Sequence, residues 1–370
     1  MEKRFKFDVI LNEQDLCDRE AEKKRLISLM ERGGRVVIYS PRRMGKTSLA
    51  MVCSEKLRSK HTNAFCLYVD LNEAETLAEV AHRFRAHYEY ALREQFPIQN
   101  AKMLLGALLS RIKLSLPGGI ELALERYTTE KPEHYLMSLM SELDELSAKQ
   151  RVVLIIDEFQ GIANQREAQA ILRREFQRLS RAAVVLMGSN QRLLYRMFND
   201  KELPFFGFGE DMELKGIPIK EYLPYMNERF AGSNIHISED VALFMAEIMN
   251  DIPNYINELG AWIVDTMENL ELTKEHIGLA LEAAAQSKRG RYESALYGYT
   301  ANQRALLRAI ARLKRGVPVT GNEMQEFTGL SATELSRSKT DLEDCPLLSH
   351  DTSNRIFISD PFLKKFLEMQ

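Results

Sequence analysis

The residues best suited to chemistry in this 370-residue chain are Ser40-Pro41-Arg42-Arg43-Met44-Gly45-Lys46-Thr47, followed by Ser48. A loop that cradles phosphate needs successive backbone N–H groups around a concavity at a helix N-terminus. It also needs a lysine to reach the terminal phosphates and a hydroxyl for Mg²⁺. The segment supplies all of this except the usual first glycine, where Ser40 stands, a residue small enough for a loop entrance. A second element lies about 110 residues downstream, where the apolar run Val152–Ile156 ends in Asp157-Glu158. In that position Asp157 would hold Mg²⁺ through water, and Glu158 would orient or deprotonate the attacking water. Any buried strand can end in acids that cap a helix, but the pairing with the loop favours catalysis, with ATP as substrate and ADP as product.

A third run, Ala183–Met187, ends in Gly188-Ser189-Asn190. Two readings stand side by side there: Ser189 as a polar sensor between water and γ-phosphate, or the Ser-Asn pair as a turn and helix N-cap. Arg173, Arg174, Arg178, Arg181, Arg192 and Arg196 are candidates for an arginine that reaches phosphate. Each also reads as part of a solvated helix face.

Such residues work only if the chain holds them together. Arg35–Tyr39, Ala64–Val69, Val152–Ile156 and Ala183–Met187 are continuous rather than alternating apolar runs, as strands covered on both faces require. The expected class is therefore α/β, a parallel P-loop sheet between helices. About eighty residues separate the second and third strands, an insertion with helical periodicity at Leu77–Leu92, Ala101–Leu114 and Tyr135–Leu146 and a turn at Pro117-Gly118-Gly119. After a helix at Gln191–Phe198 and a short strand at Met212–Ile217, the pattern turns helical: Ile219–Phe230, Glu239–Met249, Ile252–Met267 and Thr273–Ala285. Ser287–Tyr299, with its basic Lys288-Arg289-Gly290-Arg291, reads as a linker.

The last segment places helices at Asn302–Leu313 and Thr320–Phe327, a turn at Gly329, and a third helix opened by the capping box Ser331-Ala332-Thr333-Glu334. Leu347–His350 and Arg355–Ile358 then flank a hairpin loop at Asp351-Thr352-Ser353-Asn354. Three helices and a hairpin make a winged helix. The organisation expected is a P-loop ATPase core over residues 1–218, a helical lid over 219–286 and a winged helix over 287–370.

Composition limits the alternatives. With 45% hydrophobic and 28% charged residues the chain can bury a core, so disorder is excluded, and no apolar run is long enough to span a bilayer. The N-terminus is charged from its second residue and lacks an export signal, so a cytoplasmic protein is expected. Cys17, Cys53, Cys66 and Cys345 have no CxxC spacing, which argues against zinc or a disulfide framework. The net charge of −3 divides into +3 over the last 86 residues and −6 over the rest, so a DNA contact would have to sit at the C-terminal end. There Arg337, Lys339 and Arg355 could meet phosphates, and Thr333, Ser336 and Thr340 could reach base edges. Glu334, Asp341, Glu343 and Asp344 on or beside the same helix support the other reading, a module that packs on protein.

Taken together the motifs resemble the archaeal-type ATPases of the STAND branch of P-loop NTPases, related to the AAA+ initiator ATPases of the origin-recognition type. The resemblance rests on Cys17-Asp18-Arg19-Glu20 with Leu26 and Leu29, the loop Ser40–Leu49, Ile155-Ile156-Asp157-Glu158-Phe159-Gln160, Leu186-Met187-Gly188-Ser189 and Pro204-Phe205-Phe206-Gly207. Asp251-Ile252-Pro253-Asn254-Tyr255 and Ser359-Asp360-Pro361-Phe362-Leu363 extend it almost to the end of the chain. It implies that Asp18, Arg19 and Glu20 neighbour the adenine and that Pro253 packs nearby. Three departures stand out: Ser40 and Asp251 replace glycines, and Phe208 stands where many relatives carry an arginine that could sense phosphate. Slow turnover with tight nucleotide retention, suited to a switch, is the expectation. DNA or a protein partner would bind through the winged helix, and assembly into an oligomer is compatible with this reading. The alternative is a DNA-binding regulator whose nucleotide is structural.

Overall fold

The structure is a computed structural model that describes residues 3–112, 127–313, 317–342, 345–350 and 355–370. Residues 9–216 form one compact unit, and residues 1–8 together with 217–370 form another. In the first, strands β1 (Arg35–Tyr39), β2 (Phe65–Asp70), β3 (Val152–Asp157), β4 (Ala183–Gly188) and β5 (Glu210–Glu213) make a parallel sheet in the order β2-β3-β4-β1-β5. Successive residues of each central strand face opposite sides. Val37, Leu154, Ile156, Val184 and Leu186 join one core, and Val36, Ile38, Val153, Ile155, Val185 and Met187 join the other. Both faces are covered, which is why the strands read as unbroken apolar runs.

Helices α1 (Glu20–Glu31) and α2 (Lys46–Lys60) close the second of these cores with Leu26, Leu29, Leu49, Cys53 and Leu57. The other face is covered by α3 (Leu77–Gln95), α4 (Ile98–Ile112), α5 (Pro132–Ser147), α6 (Arg166–Arg178) and α7 (Gln191–Asn199). Among the described residues the insertion thus contributes a helix at each of the three places its periodicity suggests, the end of Ala101–Leu114 lying outside those residues, and α3 opens with a capping box between Thr76 and Glu79. Its turn at Pro117-Gly118-Gly119 lies outside the described residues. Because the chain crosses from β1 over β4 and β3 to reach β2, and later returns to β1's other side with β5, the strand order reverses around β1. Open α/β sheets bind ligands in the crevice at the carboxyl ends beside such a point.

The edge strand departs from expectation. It spans Glu210–Glu213, not Met212–Ile217, and pairs with Val36–Tyr39 through mostly exposed acidic residues, of which only Met212 is buried. An edge strand needs one apolar contact to dock, and its charges discourage further pairing. Arg25 and Arg32 of α1 and the loop after it bind Glu210, which fixes the strand from outside.

The second unit contains α8 (Ile219–Phe230), α9 (Glu239–Ile248), α10 (Pro253–Thr266), α11 (Lys274–Ser287), α12 (Arg289–Tyr297), α13 (Ala301–Arg312), α14 (Asn322–Thr328), α15 (Ala332–Asp341) and α16 (Pro361–Glu368). Two short strands, β6 (Ile235–His236) and β7 (Leu270–Glu271), pair in parallel, and β8 (Leu348–His350) and β9 (Ile356–Ile358) pair antiparallel. The chain's first residues return to this unit. Phe5 packs edge-on against Phe230 at 4.8 Å, and the slot exists because residue 260 is glycine: a Cβ there would lie 2.8 Å from the Phe5 ring.

The segment read as a linker is helical. In α12 Tyr292 and Leu296, four residues apart, are buried; the Tyr292 hydroxyl donates to Asp360 at 3.2 Å, and its ring lies 5.5 Å from that of Phe366. Lys288 lies over the Phe362 ring and pairs with Glu258, so α10, α11, α12 and α16 are stitched together where a free connection was expected. The capping box at Ser331 forms, and Gly329 takes φ +70° at the turn before it. The hairpin loop Asp351–Asn354 and residues Glu343 and Asp344 lie outside the described residues. Asp18, Asn250 and Asp251 adopt left-handed φ between 55° and 57°, and Asp and Asn are the side chains best able to replace glycine there. Among the described residues no helix is long and apolar enough to cross a membrane.

In the core on the face covered by α6 and α7, Phe159, Phe176, Phe198, Phe205 and Phe208 pack together, with Phe205 meeting the other four rings at 4.9 to 6.1 Å. Phe205 is fully buried, while its neighbour Phe206 is 44% exposed. Phe205→Ala is therefore expected to destabilise residues 9–216 by about 3–5 kcal/mol and Phe206→Ala by less than about 0.5 kcal/mol, as read from urea unfolding midpoints. Equal shifts for the two would show that the cluster does not anchor this face of the sheet.

Candidate nucleotide-binding site

The loop between β1 and α2 owes its shape to two left-handed residues, Arg43 at φ 70° and Gly45 at φ 88°. Alternating left- and right-handed backbone curls successive amides into an anion nest. Gly45 is the N-cap of α2, and the helix has neither a side-chain cap nor an acidic residue in its first turn. Its amides and positive dipole end are thus uncompensated by the chain, as an anion site requires. A Cβ on Gly45 would meet only Leu16, at 3.9 Å, so the space beside the loop is open and the glycine is required by its φ. Ser40 is buried, and its hydroxyl donates to the Pro41 carbonyl at 3.2 Å, which satisfies the polar atom that replaces the customary glycine. Met44 and Ser48 are buried, and the Ser48 hydroxyl accepts the Leu11 N–H at 3.0 Å.

Lys46 is 5% exposed and donates to the carbonyls of Ser40 at 3.1 Å and Pro41 at 3.0 Å. Burial pushes its pKa down to about 8, against the opposing pull of Glu158 and Asp157. Beside it the Thr47 hydroxyl donates to Asp157 Oδ2 at 2.5 Å, and the Tyr68 hydroxyl donates to the same oxygen at 3.1 Å. Asp157 Oδ1 accepts the Glu158 N–H at 2.9 Å. Burial raises the Asp157 pKa despite these bonds, so the carboxyl sits where a cation would be welcome. A hydroxyl and a carboxylate are hard oxygen donors, and with water they suit Mg²⁺.

Glu158 adopts φ 49° and starts a tight turn, Phe159–Ile162, whose terminal side chains Phe159 and Ile162 are buried. Its Oε2 accepts from Ser189 Oγ at 2.8 Å and from Gln160 Nε2. Arg42, exposed on the loop, donates to Ser189 Oγ at 3.3 Å. Ser189 turns toward Glu158, and Asn190 caps α7 by accepting the Leu193 N–H at 3.1 Å, which is the N-cap geometry.

The structure thus brings Ser40 to Ser48, Asp157, Glu158 and Ser189 to one edge of the sheet. Asp18 and Arg19 lie at the start of α1, both left-handed. The Arg19 guanidinium is 3% exposed and bonds Glu22 at 3.1 Å and the Lys215 carbonyl at 2.7 Å, while Glu20 is exposed and pairs with Lys23. Pro253 belongs to the other compact unit, in the first turn of α10, where its carbonyl accepts from Tyr222 at 3.1 Å. Of the arginine candidates, Arg173 lies 4.9 Å over the Phe208 ring, Arg174 pairs with Glu133 and Glu175, Arg178 pairs with Glu175, and Arg181, Arg192 and Arg196 are exposed. Tyr68 was not among the candidates, because its contact with Asp157 depends on β2 lying next to β3, which spacing alone does not reveal. Among the described residues there is no cluster of three or more His, Cys, Asp or Glu side chains fit for a metal, and three of the four free cysteines are buried.

A parallel sheet with a lysine-bearing loop after β1 and an acidic pair after β3 is the fold and site arrangement of a P-loop nucleotide-binding ATPase. Residues 16–189 are similar to the family described as an ATPase domain predominantly from Archaea. The whole chain is similar in fold to the Walker-type ATPase PABY2304 of Pyrococcus abyssi, at 18% identity over 98% of this chain and 99% of that one, TM-score 0.65. It is also similar to the ORC2 protein of Aeropyrum pernix in its ADPNP-ADP complexes, at 15% identity over 96% and 94% of the two chains, TM-score 0.54. No curated protein sequence matches the chain.

The lysine gives a measurable signature. A bound phosphate supplies the charge that burial denies Lys46, so its pKa must rise from about 8 toward the ordinary value and the complex must take up a proton. At pH 8 ADP binding is expected to take up about half a proton per site, and affinity should fall as pH rises above 8. Calorimetry in two buffers of different ionisation enthalpy reads this directly. Lys46→Met should abolish the uptake, and its persistence in that variant would assign the proton elsewhere.

Proposed function

We propose that the chain hydrolyses ATP to ADP and phosphate as a conformational switch. The observation that carries this reading is the Thr47–Asp157 hydrogen bond, which joins the phosphate loop to the acidic strand end over 110 residues of sequence. In this reading Ser40 to Ser48 wrap the phosphates and Lys46 neutralises their charge. Thr47 and Asp157 would hold Mg²⁺, which would supply positive charge against the charge that develops on the phosphate. Glu158 takes a proton from the attacking water, whose oxygen forms the new bond to the γ-phosphorus as the bond to the β–γ bridging oxygen breaks and ADP leaves. Ser189 stands beside that water as a polar sensor. Asp18, Arg19 and Pro253 are assigned to the adenine by the sequence resemblance. Residues 1–218 act as the ATPase core, 219–286 as a helical lid and 287–370 as a winged helix that reports the nucleotide state to a partner. The ADPNP-ADP complexes named for the ORC2 neighbour support nucleotide binding in this fold. Phe208, in place of an arginine, supports slow turnover.

A specific observation also favours DNA as the partner. Helix α15 buries only Leu335 and Ser338 and leaves Thr333, Ser336, Arg337, Lys339 and Thr340 exposed, with the β8–β9 hairpin following in the chain. An exposed helix beside a hairpin is the arrangement by which winged helices enter a major groove.

Lys46→Ala and Glu158→Gln are each expected to lower kcat for MgATP by about 10²-fold or more, with ADP binding kept in the Glu158 variant. Wild-type turnover in the Lys46 variant would defeat the hydrolytic reading. For the DNA reading, Arg337→Ala with Arg355→Ala should weaken duplex binding uniformly across sequences and lower its salt dependence by about one counterion per lost contact. Absence of wild-type binding at low salt would remove it.

A further inference from the structure

We propose that Gln160 is a positioning residue for the ATPase reaction, holding the Glu158 carboxylate by one oxygen so that the other is presented to the attacking water. This rests on the reading of Glu158 as the base. Gln160 lies in the tight turn after β3, with Phe159 and Ile162 buried on either side and its own carbonyl accepting the Ala163 N–H at 2.9 Å. From this fixed backbone its Nε2 donates to Glu158 Oε2 and, at 3.4 Å, to Ser189 Oγ. Ser189 donates to the same Oε2 at 2.8 Å. One carboxylate oxygen is therefore held twice, and Oε1 accepts no hydrogen bond from the described residues.

The amide's other end shows that this arrangement is not explained by stability. Gln160 Oε1 is buried without a donor, a position that costs about 1–3 kcal/mol. Turning the amide over would set an acceptor against the carboxylate and bury the unsatisfied NH₂ instead, so Glu158 dictates the orientation. An apolar side chain of the same length would avoid the orphaned oxygen altogether. The strand next door is cut to fit: a Cβ on Gly188 would lie 2.0 Å from Gln160 Oε1. Arg42 connects the clamp to the phosphate loop through Ser189.

The test compares Gln160→Met, Gly188→Ala and the double variant with wild type and Glu158→Gln, in the full chain with MgATP. Gln160→Met is expected to lower kcat about 10- to 100-fold, the usual scale for partners that orient a reacting group. KM and ADP affinity should stay within about twofold, and the melting temperature should be unchanged or higher. Gly188→Ala should lower kcat by displacing the amide, and Gln160→Met should then add nothing to it. Wild-type kcat in Gln160→Met overturns the proposal, as does a loss of kcat that tracks lower melting temperature and weaker ADP binding, or additive losses in the double variant. Turnover retained by Glu158→Gln overturns the assignment of the base itself, and with it the clamp. Loss in Glu158→Gln with none in Gln160→Met overturns the clamp alone.

Discussion

The hydrogen bond from Thr47 to Asp157 sets the geometry on which the rest of the site depends. It joins the start of α2 to the end of β3, although β4 lies between β1 and β3 in the sheet. The bond can form only if three strands end level, and the parallel register brings this about: Tyr39 pairs with Gly188, and Leu186 with Ile156. A slip of one residue in either pairing would exchange the two faces of a strand and turn its apolar residues from one core to the other. Because Val152 through Asp157 and Ala183 through Gly188 are buried throughout, the sheet's faces accept only apolar groups. The carboxyl edge is where polar side chains can collect.

What collects there is electrostatically unsatisfied in the same sense at each point. Burial lowers the pKa of Lys46 and raises that of Asp157, so the site resists both its cation and its anion. A single cause acts on both, and a polyanionic ligand with a divalent cation relieves both. The backbone shows a parallel strain, with Arg43 and Glu158 in the left-handed region at about 1–3 kcal/mol each. Local rules are broken where function needs them broken, and the apolar cores on either side hold the chain in place while they are.

This contrast explains what could be read from the residues beforehand. Strands covered on both faces leave a signature in composition, and Lys46, Thr47, Asp157 and Glu158 sit at spacings their chemistry requires. Tyr68 and the clamp made by Gln160 were illegible as a site because they depend on which strands are neighbours and on side-chain direction. Strand β5 was displaced in the reading because its residues are acidic and only Met212 is buried. Helix α12 was hidden because its buried surface reduces to Tyr292 and Leu296, and the basic run Lys288-Arg289-Gly290-Arg291 resembles a solvated connection. In each case the decisive contact was tertiary, and local pattern carries no record of it.

The aromatic cluster gives the replacement at Phe208 a physical meaning. Phe159, directly after Glu158, packs against Phe198 and Phe205, so the turn that carries Glu158 and Gln160 is anchored in that cluster. Phe208 completes it at 5.3 Å from Phe205, with Arg173 and Arg35 against its ring. An arginine at this position would bury its guanidinium against four phenyl rings that offer it no hydrogen-bond partner. The cluster thus steadies the turn after β3 by packing alone, while the polar contacts of Glu158 and Gln160 are made to Ser189 and to each other.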